Sequence, residues 1–130
     1  MRRACLPLGL ALAMGACAAT SGAALTSGID GRLVAGPTCP VETISPQPRC
    51  APRPLAASLI VRRAGAGAPA VTVRSSATGR FRVRLAPGSY VVEAQAKAGS
   101  PFPRPPAPRT VRVHARSFTS ITIIYDTGIR

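Results

Sequence analysis

The clearest pattern in the chain is Arg80-Phe81-Arg82-Val83-Arg84-Leu85, where Phe, Val and Leu alternate strictly with three arginines. A period of two predicts a β-strand with one face in a core and one in water. A helix would spread the arginines around its whole circumference. Pro87-Gly88 follows, and the pair suits a tight turn: Pro presets the first central φ, and Gly accepts the positive φ of the second. Ser89 to Ala96 then sets Tyr90, Val92 and Ala94 on one face and Glu93 and Gln95 on the other. The two runs predict a hairpin-like unit.

Weaker copies of this pattern occur on both sides. Ile29 to Ala35 sets Ile29, Gly31 and Leu33 on one face; Leu59 to Arg62 and Val71 to Arg74 are short runs separated by a loop. Thr110 to Ala115 points Val111 and Val113 inward, with Arg112 and His114 outward. Ser117 to Asp126 points Ile121, Ile123 and Tyr125 inward. Seven short strands with frequent turn signals and no amphipathic helix predict an all-β chain, a seven-stranded antiparallel sandwich of two sheets. Residues 99–109 carry five prolines, so they predict a long polyproline-type loop rather than a central strand.

The N-terminus breaks the pattern. Arg2 and Arg3 precede Ala4 to Ala16, 13 residues without a charge. A basic start, a short apolar run and small residues after it read as a secretory signal peptide, and the run falls short of the roughly 20 residues of a spanning helix. Met14-Gly15-Ala16-Cys17 is similar to a bacterial lipobox, which makes Cys17 the candidate lipidation site. Cleavage after Ala18 with free secretion is the alternative. Residues 1–16 are thus expected to be the signal peptide, 17–28 a flexible tether of small uncharged residues, and 29–130 the domain. Its expected place is the extracytoplasmic face of the membrane if lipidated, and the exterior otherwise.

Export changes the cysteine arithmetic. Of the four cysteines, Cys5 leaves with the signal peptide and Cys17 lies at the cut. Cys39 and Cys50 remain, an even pair in an oxidising compartment, and are expected to form a disulfide. Two thiols with ten residues between them and one distant His do not make a zinc site, so neither metal nor cofactor is expected.

Composition narrows the function. A hydrophobic share of 46% is too high for a disordered basic tail. The acids Asp30, Glu42, Glu93 and Asp126 are dispersed, with no pair placed for acid–base work. The single His, His114, is expected on an outward, arginine-bearing face, and no glycine-rich phosphate loop opens a helix. An enzyme is therefore not expected.

Three motifs recur in order in one family: Gly31-Arg32-Leu33-Val34, Thr78-Gly79-Arg80-Phe81 and Leu85-Ala86-Pro87-Gly88-Ser89-Tyr90. The chain resembles the carboxypeptidase regulatory-like domain, a small transthyretin-like sandwich whose signature is an opening strand, a G-x-F turn and L-x-P-G-x-Y. The resemblance covers Ile29 to Tyr125. It implies that Gly79 makes the turn admitting Phe81 to the core and that Tyr90 sits inward just past the Pro87-Gly88 turn. Gly36-Pro37-Thr38-Cys39-Pro40, Cys50 and the closing Asp126 to Arg130 also resemble small secreted actinobacterial proteins with this domain. The zinc enzyme that gives the family its name is not implied. The related collagen-adhesin B-type repeats cross-link Lys to Asn, but this chain has no Asn and one lysine, Lys97, after the Tyr90 strand.

Charge supplies the remaining candidate. The net charge is +13, and losing Arg2 and Arg3 makes it +11; arginines outnumber lysines 16 to 1. Outward arginines are first of all solubilising. If their strands share a sheet, Arg80, Arg82, Arg84, Arg112 and Arg116, with Arg74, form a basic face for an anionic polymer, lipid headgroups or an acidic protein. Nucleic acid is not expected, because few aromatics are available for stacking. The expected function is a non-catalytic, membrane-anchored extracytoplasmic module contacting an unidentified cell-envelope partner. The alternative is a carrier or binding domain for an anionic or carbohydrate envelope ligand.

Overall fold

The computed structural model describes residues 25–40, 48–65, 67 and 69–130. The signal peptide, Cys17 and Glu42 lie outside the described residues. Eight strands follow in chain order: β1 (Gly28–Gly36), β2 (Arg53–Pro54), β3 (Ser58–Arg63), β4 (Val71–Arg74), β5 (Arg80–Arg84), β6 (Gly88–Ala94), β7 (Arg109–Val113) and β8 (Phe118–Asp126). They form two sheets. In the first, β1 is central: β8 lies along one edge, and β5 and β2 share the other. The second sheet runs β4-β3-β6-β7.

Alternation decides what meets between the sheets. Ile29 and Leu33 from β1, Leu59 and Val61 from β3, Val92 from β6, Val113 from β7 and Tyr125 from β8 are fully buried, and Phe81, Tyr90, Val111, Ile121 and Ile123 join them. Removing each such side chain from water contributes about 1.5–3 kcal/mol. Among the described residues, the buried polar side-chain atoms all have hydrogen-bond partners. Tyr125 donates its hydroxyl to the Gln95 carbonyl at 2.8 Å, tying β8 of one sheet to the end of β6 in the other. Burial pushes the Tyr125 phenol above its ordinary pKa. Buried Ser75 donates to the Leu55 carbonyl (2.7 Å) and accepts from the Ala57 N–H (2.9 Å), which fastens the β2–β3 connection to the corner after β4.

Two motif residues stand as the sequence implies. Gly79 has φ +77°, and its carbonyl accepts the Leu33 N–H at 2.7 Å. Tyr90 is buried and donates its hydroxyl to the Ala86 carbonyl at 2.6 Å across Pro87 and Gly88, but the runs on either side are not the expected hairpin-like unit: β5 pairs with β1 in the first sheet and β6 with β3 and β7 in the second, so this connection crosses between sheets. Cys39 and Cys50 are disulfide-bonded, with Cys50 ending a single 3-10 turn, Pro48–Cys50.

The structure also departs from expectation. Among the described residues there are eight strands rather than seven, because Arg53–Pro54 pairs with Val34 and Ala35 of β1. Two residues carry no periodicity, so pattern alone does not reveal them. The sandwich is not wholly antiparallel: β1 and β8 pair in parallel over nine residues. First and last strands need no tight connection, so nothing forces them antiparallel. β7 stops at Val113, and His114 lies exposed in the turn to β8, where Arg116 takes a positive φ of 56°. Ser27, just before β1, is buried and donates to the Leu85 carbonyl at 2.6 Å. Residues 99–109 form no strand before Arg109, apart from a single bridge between Arg104 and Asp126.

Candidate functional site

The outward positions of β5 are Arg80, Arg82 and Arg84, because Phe81 and Leu85 point into the core. On β1 the outward positions include Asp30 and Arg32, since Ile29 and Leu33 are fully buried. On β8 they include Phe118, Ser120 and Thr122, since Ile121 and Ile123 are buried. Register brings these sets side by side: Arg32 lies opposite Arg80 and beside Thr122, while Asp30 lies opposite Arg82 and beside Ser120. Together with Ser76 they line a groove of about 620 Å³ on the outer face of the first sheet.

The charges in this groove are not neutralised by one another. The ion pairs among the described residues are Arg62–Glu93 (2.8 Å) and Arg130–Asp126 (2.9 Å), both elsewhere. Asp30 accepts the Ser120 hydroxyl at 2.6 Å instead of pairing with Arg82. Arg82 stacks on the Phe118 ring, its guanidinium carbon 3.6 Å from the centroid, a cation–π contact that suits a planar, weakly hydrated cation. Arg84 donates to the Leu25 carbonyl at 3.2 Å. The Arg32 and Arg80 side chains make no hydrogen bond among the described residues.

The five arginines of the expected basic face do not form one surface. Arg80, Arg82 and Arg84 belong to the first sheet. Arg112 is on β7 of the second, as Arg74 is on β4, and Arg116 is in the β7–β8 turn. Alternation sets which way a side chain points but not which sheet its strand joins. Asp30, Arg32, Ser120 and Thr122 were missed as site residues for the same reason. Their signal was the polar half of the β1 and β8 alternations, which becomes a site only through the parallel pairing.

A hydrogen bond from Arg130 and a second from the Gly128 N–H hold the Asp126 carboxyl down at about 2. Ser117 donates to the backbone carbonyl of His114 rather than to its ring. Among the described residues no three His, Cys, Asp or Glu side chains cluster as a metal site.

The fold and site define an all-β, two-sheet sandwich with a charged groove on one outer face. No protein-family model matches the sequence, and no curated protein matches it. Among solved structures, the chain is similar to the minor pilin of the gram-positive pathogen Streptococcus agalactiae, with 15% identity and a TM-score of 0.52. The match covers 80% of this chain and 46% of the pilin chain, so this chain spans less than half the length of that neighbour. At that identity the likeness is one of fold, a β-sandwich.

Proposed function

We propose that this chain is an exported, non-catalytic β-sandwich module of the carboxypeptidase regulatory-like kind, held at the outer face of the membrane by a lipid on Cys17 and serving a structural or interaction role. The observation that carries the reading is the Cys39–Cys50 disulfide, a bond that persists in oxidising compartments and agrees with the signal-peptide pattern of residues 1–16. The Gly79 turn and the Tyr90–Ala86 bond support the family reading, since G-x-F and P-G-x-Y need those features. The fold match is to a minor pilin and points the same way. A non-catalytic role is supported by the described acids: Glu93 pairs with Arg62, Asp126 with Arg130, and Asp30 takes the Ser120 hydroxyl. Metabolic labelling with a fatty acid tests the anchor. Label is expected on the wild-type chain and absent from Cys17→Ala; label kept by the variant ends the lipoprotein reading.

A second reading, a binding domain for an anionic envelope ligand, is favoured by the arginine-lined groove on the first sheet.

A further inference from the structure

We infer that the groove over β5, β1 and β8 binds a polyol phosphate, with the Arg32–Arg80 pair taking the phosphate and the Asp30 carboxylate taking a neighbouring hydroxyl. This rests on the second reading above and gives it a ligand and an address. Arg32 and Arg80 are direct register partners in an antiparallel pair. Their Cβ atoms are therefore about 4.5–5.5 Å apart, a position where like charges destabilise a sheet. Among all the register pairs of both sheets it is the one that sets two cations opposite each other. The chain thus holds two cations opposite each other with no acid paired to either among the described residues, each guanidinium offering five N–H donors and none of them hydrogen-bonded there. An oxyanion between them removes the repulsion and accepts from both, and the planar fork of arginine matches phosphate geometry.

The surroundings narrow the ligand. Arg82 is two residues from Arg80 on the same strand face, roughly 6.8 Å along, and its stack on Phe118 holds it away from Asp30. The groove therefore stays cationic, with a second phosphate contact in line with the first. Asp30 uses one carboxylate oxygen for Ser120; the other is a free acceptor among the described residues and suits a ligand hydroxyl rather than a second anion. Ser76 and Thr122 supply hydroxyls at the rim. The aromatic ring among the groove's lining residues, Phe81, is buried in the core, and Arg82 lies over the Phe118 ring beside the groove, which disfavours stacking by a nucleobase. The volume of about 620 Å³ lies within the roughly 300–1,000 Å³ range of small-ligand sites.

The test uses the exported chain carrying Cys17→Ala, so that no lipid contributes. The probes are polyglycerol phosphate, glycerol 3-phosphate, inorganic phosphate, and vesicles of phosphatidylglycerol. The wild-type groove is expected to prefer glycerol 3-phosphate to inorganic phosphate and to retain the chain on polyglycerol phosphate. Arg32→Gln and Arg80→Gln are expected to weaken glycerol 3-phosphate binding about tenfold or more, as the loss of a charge-assisted bond does. Their melting points should hold or rise, because a like-charge opposition is gone; a merely structural role would lower them. Arg112→Gln and Arg116→Gln remove the same charge from outside the groove and should leave binding unchanged. Asp30→Ala should abolish the preference for the polyol. Vesicle binding with the same Arg32 and Arg80 dependence assigns a lipid headgroup as the source, and retention on the polymer alone assigns a polymer; both support the site. Equal weakening by all four arginine variants overturns the site while leaving anion binding standing. Equal wild-type affinity for glycerol 3-phosphate and inorganic phosphate overturns the role of Asp30. No binding of any probe overturns both readings.

Discussion

Gly79 and Gly99 have nearly the same backbone conformation, φ +77° and +79°, yet substitution should affect them very differently. A Cβ at Gly99 meets nothing within 4 Å. Gly99→Ala therefore incurs only the left-handed penalty of an L-residue, about 1–2 kcal/mol, offset by the roughly 0.4–1 kcal/mol that a less flexible unfolded chain contributes. A net loss of about 1 kcal/mol is expected. A Cβ at Gly79 would overlap the Leu33 carbonyl oxygen, a backbone atom that cannot rotate away. Leu33 is fully buried; its N–H donates to Gly79 at 2.7 Å, and its carbonyl accepts from Leu55 at 3.0 Å. Separating the Gly79 turn from β1 breaks the Leu33–Gly79 bond and leaves its donor and its acceptor unpaired, at about 1–3 kcal/mol for each unsatisfied group. Gly79→Ala is thus expected to lose about 3 kcal/mol more than Gly99→Ala. Thermal unfolding followed by far-ultraviolet circular dichroism reads the difference. At about 4 °C or more per kcal/mol for a domain near 100 residues, the Gly79 variant should melt about 12 °C or more below the Gly99 variant. Melting points within about 3 °C of each other would refute the close packing of the Gly79 turn on β1.

Two further outcomes follow from the periphery. Replacing Cys39 and Cys50 together by Ser should cost about 3 kcal/mol, the loop-closure value for a bridge spanning 11 positions; a melting point unchanged from the oxidised wild type would contradict it. Asp126 is held at about 2 by Arg130 and Gly128, below the unfolded value of about 3.9. Its contribution is therefore present above pH about 4 and lost as pH falls toward 2, so the melting point should fall more steeply in wild type than in Asp126→Asn over that window, and parallel profiles would rule the pair out as the cause.

How much of this was legible in the sequence depended on the kind of information. Alternation in Arg80 to Leu85 carries which side chains face the core, and the structure buries Phe81 and Leu85 and exposes the three arginines. Turn chemistry carries local conformation, hence the positive φ at Gly79 and the Tyr90 hydroxyl bond to Ala86. Compartment carries the Cys39–Cys50 bridge. None of these signals reports which strand lies beside which. The parallel β1–β8 pairing, the two-residue β2 and the Tyr125–Gln95 bond between sheets all depend on long-range partners, and a period of two is the same whichever partner a strand takes.

That gap matters most for charge. A net charge of +13 invites the picture of one basic face, but the two sheets treat their arginines differently. In the second sheet Arg74 lies opposite Ser58, Arg112 opposite Ser89 and Arg109 opposite Val92, while Arg62 pairs with Glu93. Each is diluted by a neutral or acidic neighbour, which is how outward arginines serve solubility. In the first sheet Arg32 and Arg80 are direct register partners, and Asp30, the acid on the same face of β1, accepts from Ser120. Like charges set opposite one another lower the stability of a strand pair, and Gln or Thr at either position would relieve this while keeping the strand. The placement of the charge, rather than its total, is therefore the ground on which a binding surface is proposed for the β5–β1–β8 groove and not for the second sheet.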